Sequence, residues 1–168
     1  MKKIEEITQS LARTLAARNV RVVFAESCTA GLAAATLAIV PGISNFLCGS
    51  AVTYHERTKQ DWLGVSADDL AQFTAVSEPV ARQMAAGVLA NTIEADYSAA
   101  ITGHLGPDAP AEQDGLVYIA LASRKSGAVQ VRKVDRLFLQ TSTRGERQHE
   151  AAATLLNRLN DCIIGDFD

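Results

Sequence analysis

The segment from Arg21 to Val40 restricts the fold more than any other part of the chain. Arg21-Val-Val-Phe-Ala25 is a short, uninterrupted apolar run of the kind buried on both faces in a parallel sheet. Glu26-Ser-Cys-Thr-Ala-Gly-Leu32 follows as a tight polar turn, and alanine-rich sequence then continues to Val40, where Pro41-Gly42 stops it. Alanine and leucine favour helix, and proline just beyond the last turn ends one. Strand, turn and helix in this order commit the chain to a sheet with helices packed against it.

The remaining segments fit that frame. Ile4, Ile7, Leu11 and Leu15 recur at helical spacing and predict an opening amphipathic helix. Phe46 to Tyr54 reads as a second strand, and His55 to Leu63 as a short helix ended near Gly64. Ser66 with Asp69 has capping-box spacing. Ser77-Glu78-Pro79 starts a further helix with Val80, Met84 and Val88 on one face. Tyr97 to Ile101 is a strand running into Thr102-Gly103, and residues 103–114 form the longest irregular segment. Leu116–Ala122 and Val129–Leu139 read as a hairpin turned at Ser126-Gly127. Thr143 with Glu146 caps a last helix whose apolar positions are Ala151, Leu155 and Leu159. The expected architecture is a single domain over residues 1–168, a three-layer α/β/α sandwich with a mostly parallel, mixed sheet. Ligands in such sheets sit beyond the carboxyl ends of the strands. That edge would gather the polar segments 26–31, 54–59 and 102–108.

Composition narrows the function. The 168 residues are 48% hydrophobic and 21% charged, enough to bury a core without metal or disulfide. Sixteen basic against nineteen acidic residues give a net charge of −3, which disfavours a nucleic-acid partner. Cys28, Cys48 and Cys162 have no short spacing and read as reduced thiols. The start lacks the apolar core of a signal peptide, and the run Leu32–Ile43 is broken by Thr36, Pro41 and Gly42, so no membrane span is expected. These features predict a cytoplasmic protein. Metal-ligand spacings, a Walker loop and GxGxxG are absent from the sequence.

Ser27 stands between a buried strand and a helix. It reads either as an N-cap, a role Thr29 could also fill, or as a nucleophile whose developing charge meets free amides at the helix start, with Gly31 letting the backbone come close. A serine nucleophile needs a base. None of His55, His104 and His149 has an acidic partner evident in sequence. Lys59, five residues after Tyr54, is the other option, because a desolvated lysine gives up its proton more easily. It would act on the serine directly or through the tyrosine hydroxyl. Taken alone, Tyr54 and Lys59 read as a strand-end aromatic and a surface charge. The loop holding Thr102, Gly103 and Gly106 either cradles a phosphate or ring edge or is a plain connection. Arg144 and Arg147 either pair with a phosphate or make a solvated helical face.

Taken together, Ala25-Glu-Ser-Cys-Thr-Ala-Gly-Leu32, Gly49-Ser-Ala-Val-Thr-Tyr54 with Lys59, Leu63-Gly-Val65, Val76-Ser-Glu78 with Met84-Ala-Ala-Gly87, and Ala100-Ile-Thr-Gly103 with Gly106-Pro107 resemble the CinA carboxy-terminal domain family. The resemblance spans nearly the whole chain. It implies a nicotinamide-nucleotide amidohydrolase that converts nicotinamide mononucleotide to nicotinate mononucleotide and ammonia, with no metal or organic cofactor. Ser27 matches the family nucleophile, and Tyr54 and Lys59 its activating pair. Substrate contacts are expected from Cys28, Thr29, Ala30, Gly31, Thr102, Gly103, Gly106 and Arg144, with the amides of residues 28–31 holding the oxyanion. The family also includes forms fused to an amino-terminal molybdopterin-binding-like domain, for which 168 residues leave no room, and a homo-oligomer such as a dimer is expected. The chain departs from the family pattern at Ala30, at His104-Leu105 and in the acidic stretch Asp108-Ala-Pro-Ala-Glu-Gln-Asp114. That stretch keeps open an amidase acting on another small amide. A non-catalytic ligand-binding or interaction module on the same fold is the alternative of a different class.

Overall fold

The computed structural model describes residues 4–167. Along the chain run α1 (Ile4–Arg18), β1 (Val22–Glu26), α2 (Leu32–Ala38), β2 (Leu47–Val52), α3 (Glu56–Leu63), α4 (Ala67–Phe73), α5 (Glu78–Asn91), β3 (Tyr97–Gly103), β4 (Leu116–Lys125), β5 (Ala128–Phe138) and α6 (Arg144–Gly165). The strands form one sheet in the order β2-β1-β3-β4-β5. Strands β2, β1 and β3 are mutually parallel, β4 runs against β3, and β5 runs against β4. Four of the five described strands therefore point the same way, in the mixed sheet the sequence predicts.

The register brings the loops together. Glu26 pairs with Val52 on one side and Ile101 on the other, Gly103 pairs with Val117, and Leu116 pairs with Phe138. The carboxyl ends of β1, β2, β3 and β5 thus share one edge, where segments 27–31, 53–55, 104–115 and 139–143 leave the sheet. Strand β2 ends at Val52 and α2 at Ala38, each two residues before the boundary read from sequence. Past α2 the chain turns through Gly42, at φ 82°, into a short 3-10 turn.

Side chains alternate between two cores, as the two-residue period of a strand requires. Val22, Phe24, Ala99, Ile101, Val117, Ile119 and Leu121 face α1, α2 and α6. Val23, Ala25, Ala100, Ala120 and Ala122 face the layer built on α5. The second face is lined with small residues, so α5 lies close to the sheet, and the Ser98 hydroxyl donates to the Ala85 carbonyl at 2.7 Å. Among the described residues no helix is long and apolar enough to cross a membrane.

Gly87 on α5 sets the seat of α3. A Cβ there would lie 1.9 Å from the Leu63 carbonyl oxygen, at the end of the helix that carries Lys59. Gly87→Ala is expected to push α3 outward and cost about 1–3 kcal/mol, the usual range for overpacking. A chemical-denaturation midpoint equal to that of the wild type would contradict this contact.

Candidate active site

The turn after β1 is held from beneath by Glu26. This carboxylate is fully buried and accepts four hydrogen bonds: from Thr29 Oγ1 at 2.7 Å, Ser50 Oγ at 3.0 Å, and the amides of Ala33 and Ala34 at 3.1 Å each. It therefore satisfies the free amides at the start of α2, which a side-chain N-cap would otherwise do. The residue at the N-cap position is Gly31, with no side-chain cap bond. Ser27 and Thr29 are thus not the caps that one reading of the sequence made them. The turn itself needs left-handed backbone at Ala30 (φ 53°) and Gly31 (φ 92°). At Ala30, which carries a Cβ, that conformation costs about 1–2 kcal/mol.

Freed from capping, the Ser27 hydroxyl meets Lys59. The Lys59 Nζ lies 2.9 Å from Ser27 Oγ and donates to the Thr53 carbonyl at 2.6 Å. The amine end comes from the first half of α3, whose N-cap His55 accepts the Arg57 amide on Nδ1 at 3.2 Å. Lys59 is 1% exposed, and burial holds its pKa below the ordinary lysine range. Burial also pushes the neighbouring Cys28 thiol up to about 12, and on Lys59 burial outweighs the opposing influence of Cys28 and Glu56. A neutral amine keeps two hydrogens and one lone pair. The Thr53 carbonyl can only accept, so it engages an N–H and leaves the lone pair free for the serine proton. No histidine among the described residues is hydrogen-bonded to Ser27.

Ser27 and Lys59 open onto a cavity of about 490 Å³ at the sheet edge, within the usual range for small-molecule sites. Cys28, Tyr54, Val76, Thr102, Gly103, His104, Gly106 and Arg144 also line it. Thr29, Ala30 and Gly31 do not; they support the turn from behind. Tyr54 is 58% exposed, and its hydroxyl accepts from Arg144 Nη2 at 2.7 Å. Among the described residues it makes no hydrogen bond to Ser27 or Lys59, so the expected three-residue set is present as a pair with the tyrosine held aside. The Thr102 hydroxyl donates to the Ala75 carbonyl at 2.8 Å and fixes the opposite wall. Among the described residues no three His, Cys, Asp or Glu side chains are grouped as a metal site.

The CinA C-terminal domain model matches residues 4–163. This chain belongs to the CinA C-terminal domain family. A CinA-like protein of Prochlorococcus marinus (strain MIT 9312) is 36% identical over 156 residues, 92% of this chain and 36% of that protein. The chain thus spans little more than a third of the length of the curated relative. Two crystal structures resemble it along nearly their whole length. Competence damage-inducible protein A from Klebsiella pneumoniae has a TM-score of 0.88 at 30% identity, covering 97% of this chain and 98% of that one. The competence/damage inducible protein from Agrobacterium tumefaciens has a TM-score of 0.86 at 32% identity, covering 98% and 99%.

Three further side chains of this CinA domain shape the site without having been singled out for these tasks from sequence. Gln148 donates to the Thr29 carbonyl at 3.2 Å and the Cys28 carbonyl at 3.4 Å, pinning the nucleophile turn to α6. Arg147, read from sequence as a phosphate partner or surface charge, instead makes a two-pronged pair with Asp114 at 2.5 and 2.8 Å and donates to the Leu105 carbonyl at 3.3 Å. It fastens the 104–115 loop and neutralises one carboxylate of the acidic stretch. Glu26 is the third. Glu26→Gln supplies one acceptor oxygen where four donors converge, and its amide hydrogens face other donors. The expected result is a loss of about 1–3 kcal/mol, with kcat reduced on the order of tenfold or more as Ser27 shifts. Unchanged melting temperature and kcat would contradict a supporting role for the carboxylate.

Proposed function

We propose that the site hydrolyses the carboxamide of nicotinamide mononucleotide to nicotinate mononucleotide and ammonia. The observation that carries this reading is the buried Ser27–Lys59 contact of 2.9 Å opening onto a cavity of nucleotide size. Lys59 takes the hydroxyl proton as Ser27 Oγ attacks the carboxamide carbon, and negative charge gathers on the amide oxygen. Cys28 lines the cavity, and among the described residues its amide donates to no oxygen, which makes it the donor best placed for that charge. Protonated Lys59 returns its proton to the amide nitrogen, and the C–N bond breaks to release ammonia. Water, deprotonated by the same amine, then cleaves the acyl ester and regenerates Ser27. Arg144, at the cavity lining with no carboxylate in ion-pair contact among the described residues, suits the phosphate of the substrate.

The test is ammonia release from nicotinamide mononucleotide, nicotinamide riboside and nicotinamide by the purified protein. The mononucleotide is expected to be turned over with the highest kcat/KM. Preference for an unphosphorylated amide would favour the reading in which Asp108, also on the lining, turns the pocket toward a neutral substrate. Binding without release of ammonia from any of the three would identify a non-catalytic module.

A further inference from the structure

Arg144 and Tyr54 hold each other in a way that the hydrolytic chemistry alone does not require. Arg144 opens α6 and reaches across the cavity lining. Its Nη1 donates to the Gly106 carbonyl at 2.5 Å and its Nη2 to the Tyr54 hydroxyl at 2.7 Å. Both acceptors are neutral. The contrast with Arg147, one turn along, is direct: that guanidinium is neutralised by Asp114. Among the described residues the Arg144 guanidinium is thus satisfied only by a carbonyl and a phenol. Hydrogen bonds from a guanidinium to an anion are roughly twice as strong as those to neutral acceptors, and a phosphate accepts two in parallel. A phosphate reaching Arg144 therefore competes directly with Tyr54 for Nη2. Tyr54 lies in the short stretch between β2 and α3, is mostly exposed, and makes no other side-chain hydrogen bond among the described residues. Once displaced, its hydroxyl is restrained by no polar partner beside the cavity shared with Ser27 and Lys59.

We propose that Arg144 is a specificity-determining residue that acts through Tyr54, releasing its hydroxyl into the catalytic cavity when an anionic substrate group occupies the guanidinium. This inference rests on the reading under Proposed function and adds to it a link between recognition and chemistry. Binding energy from a remote group is then spent on arranging a side chain of the catalytic cavity, so selectivity for a phosphorylated amide lies in kcat as well as KM.

Two measurements test the link, and the first needs no turnover. Inorganic phosphate binding is measured by calorimetry for wild type, Tyr54→Phe and Arg144→Ala. Tyr54→Phe removes the competing acceptor, so phosphate is expected to bind about three- to tenfold more tightly than to wild type. Arg144→Ala is expected to abolish that binding. Equal affinity in wild type and Tyr54→Phe would overturn the competition, whether or not the protein is an amidase. The second compares kcat and KM for nicotinamide mononucleotide and nicotinamide riboside in both variants and in the double variant. The kcat preference for the mononucleotide is expected to fall to the same level in all three. A preference kept by Tyr54→Phe, or losses that multiply in the double variant, would overturn action through the tyrosine. Failure of wild type to hydrolyse the mononucleotide sinks the functional reading and leaves the binding comparison to decide the competition between phosphate and phenol.

Discussion

Ser27→Ala is expected to lower ammonia release from nicotinamide mononucleotide on the order of 10⁴-fold or more, as loss of a nucleophile that works with a partner base does. The effect belongs in kcat. Among the described residues the hydroxyl is hydrogen-bonded to no side chain but Lys59, the turn is held by Glu26 and Gln148, and neither support depends on Oγ. Nucleotide binding measured by calorimetry is therefore expected to stay within about threefold of wild type, since the substitution removes one oxygen from the lining and leaves Arg144 in place. Equal rates of ammonia release by wild type and Ser27→Ala would remove the nucleophile and with it the acyl-enzyme.

The second large effect concerns Lys59. Lys59→Met keeps most of the stem and its apolar packing but removes the amine. A loss of about 10²–10⁴-fold in kcat/KM is expected, the usual contribution of a positioned general base. Lys59→Arg separates two explanations. If the lysine served as a positive charge, arginine would restore activity. As a base it cannot be replaced, because a guanidinium does not deprotonate. Both variants are expected to fail alike. The pH dependence has a defined sign. Burial lowers the lysine pKa, so the reactive neutral form grows as pH rises through that lowered value and then saturates. Wild-type kcat/KM is expected to climb with pH and level off, and a flat profile between pH 6 and 9 would contradict the role.

Much of this site was legible because its local signals are strong. The apolar run before Ser27 becomes β1, every residue of which is buried. The cap pairs Ser66–Asp69 and Thr143–Glu146 start α4 and α6 where their spacing says they should. Ser27 and Lys59 are 32 residues apart, and their contact follows from β1 and β2 lying side by side with carboxyl ends level. What stayed hidden depends on two segments meeting only in the folded chain. Glu26 reads in sequence as the first residue of a polar turn; it is instead the last residue of β1, and its task appears only once the start of α2 lies over it. The Arg147–Asp114 pair joins a helix to a loop 33 residues away, so neither residue announces the other. Tyr54 was read as a strand end. With β2 stopping at Val52, its ring stands out from the edge, where Arg144 captures it.

The central claim is that a neutral amine at Lys59 waits beside the Ser27 hydroxyl. The sequence holds five lysines, Lys2, Lys3, Lys59, Lys125 and Lys133, few enough to follow one by one. NMR titration of protein labelled with ¹³C at lysine Cε reads each protonation directly, without substrate. One resonance is expected to titrate well below the ordinary lysine value of about 10.4 and to vanish in Lys59→Met. Five resonances all titrating near that ordinary value would contradict the account.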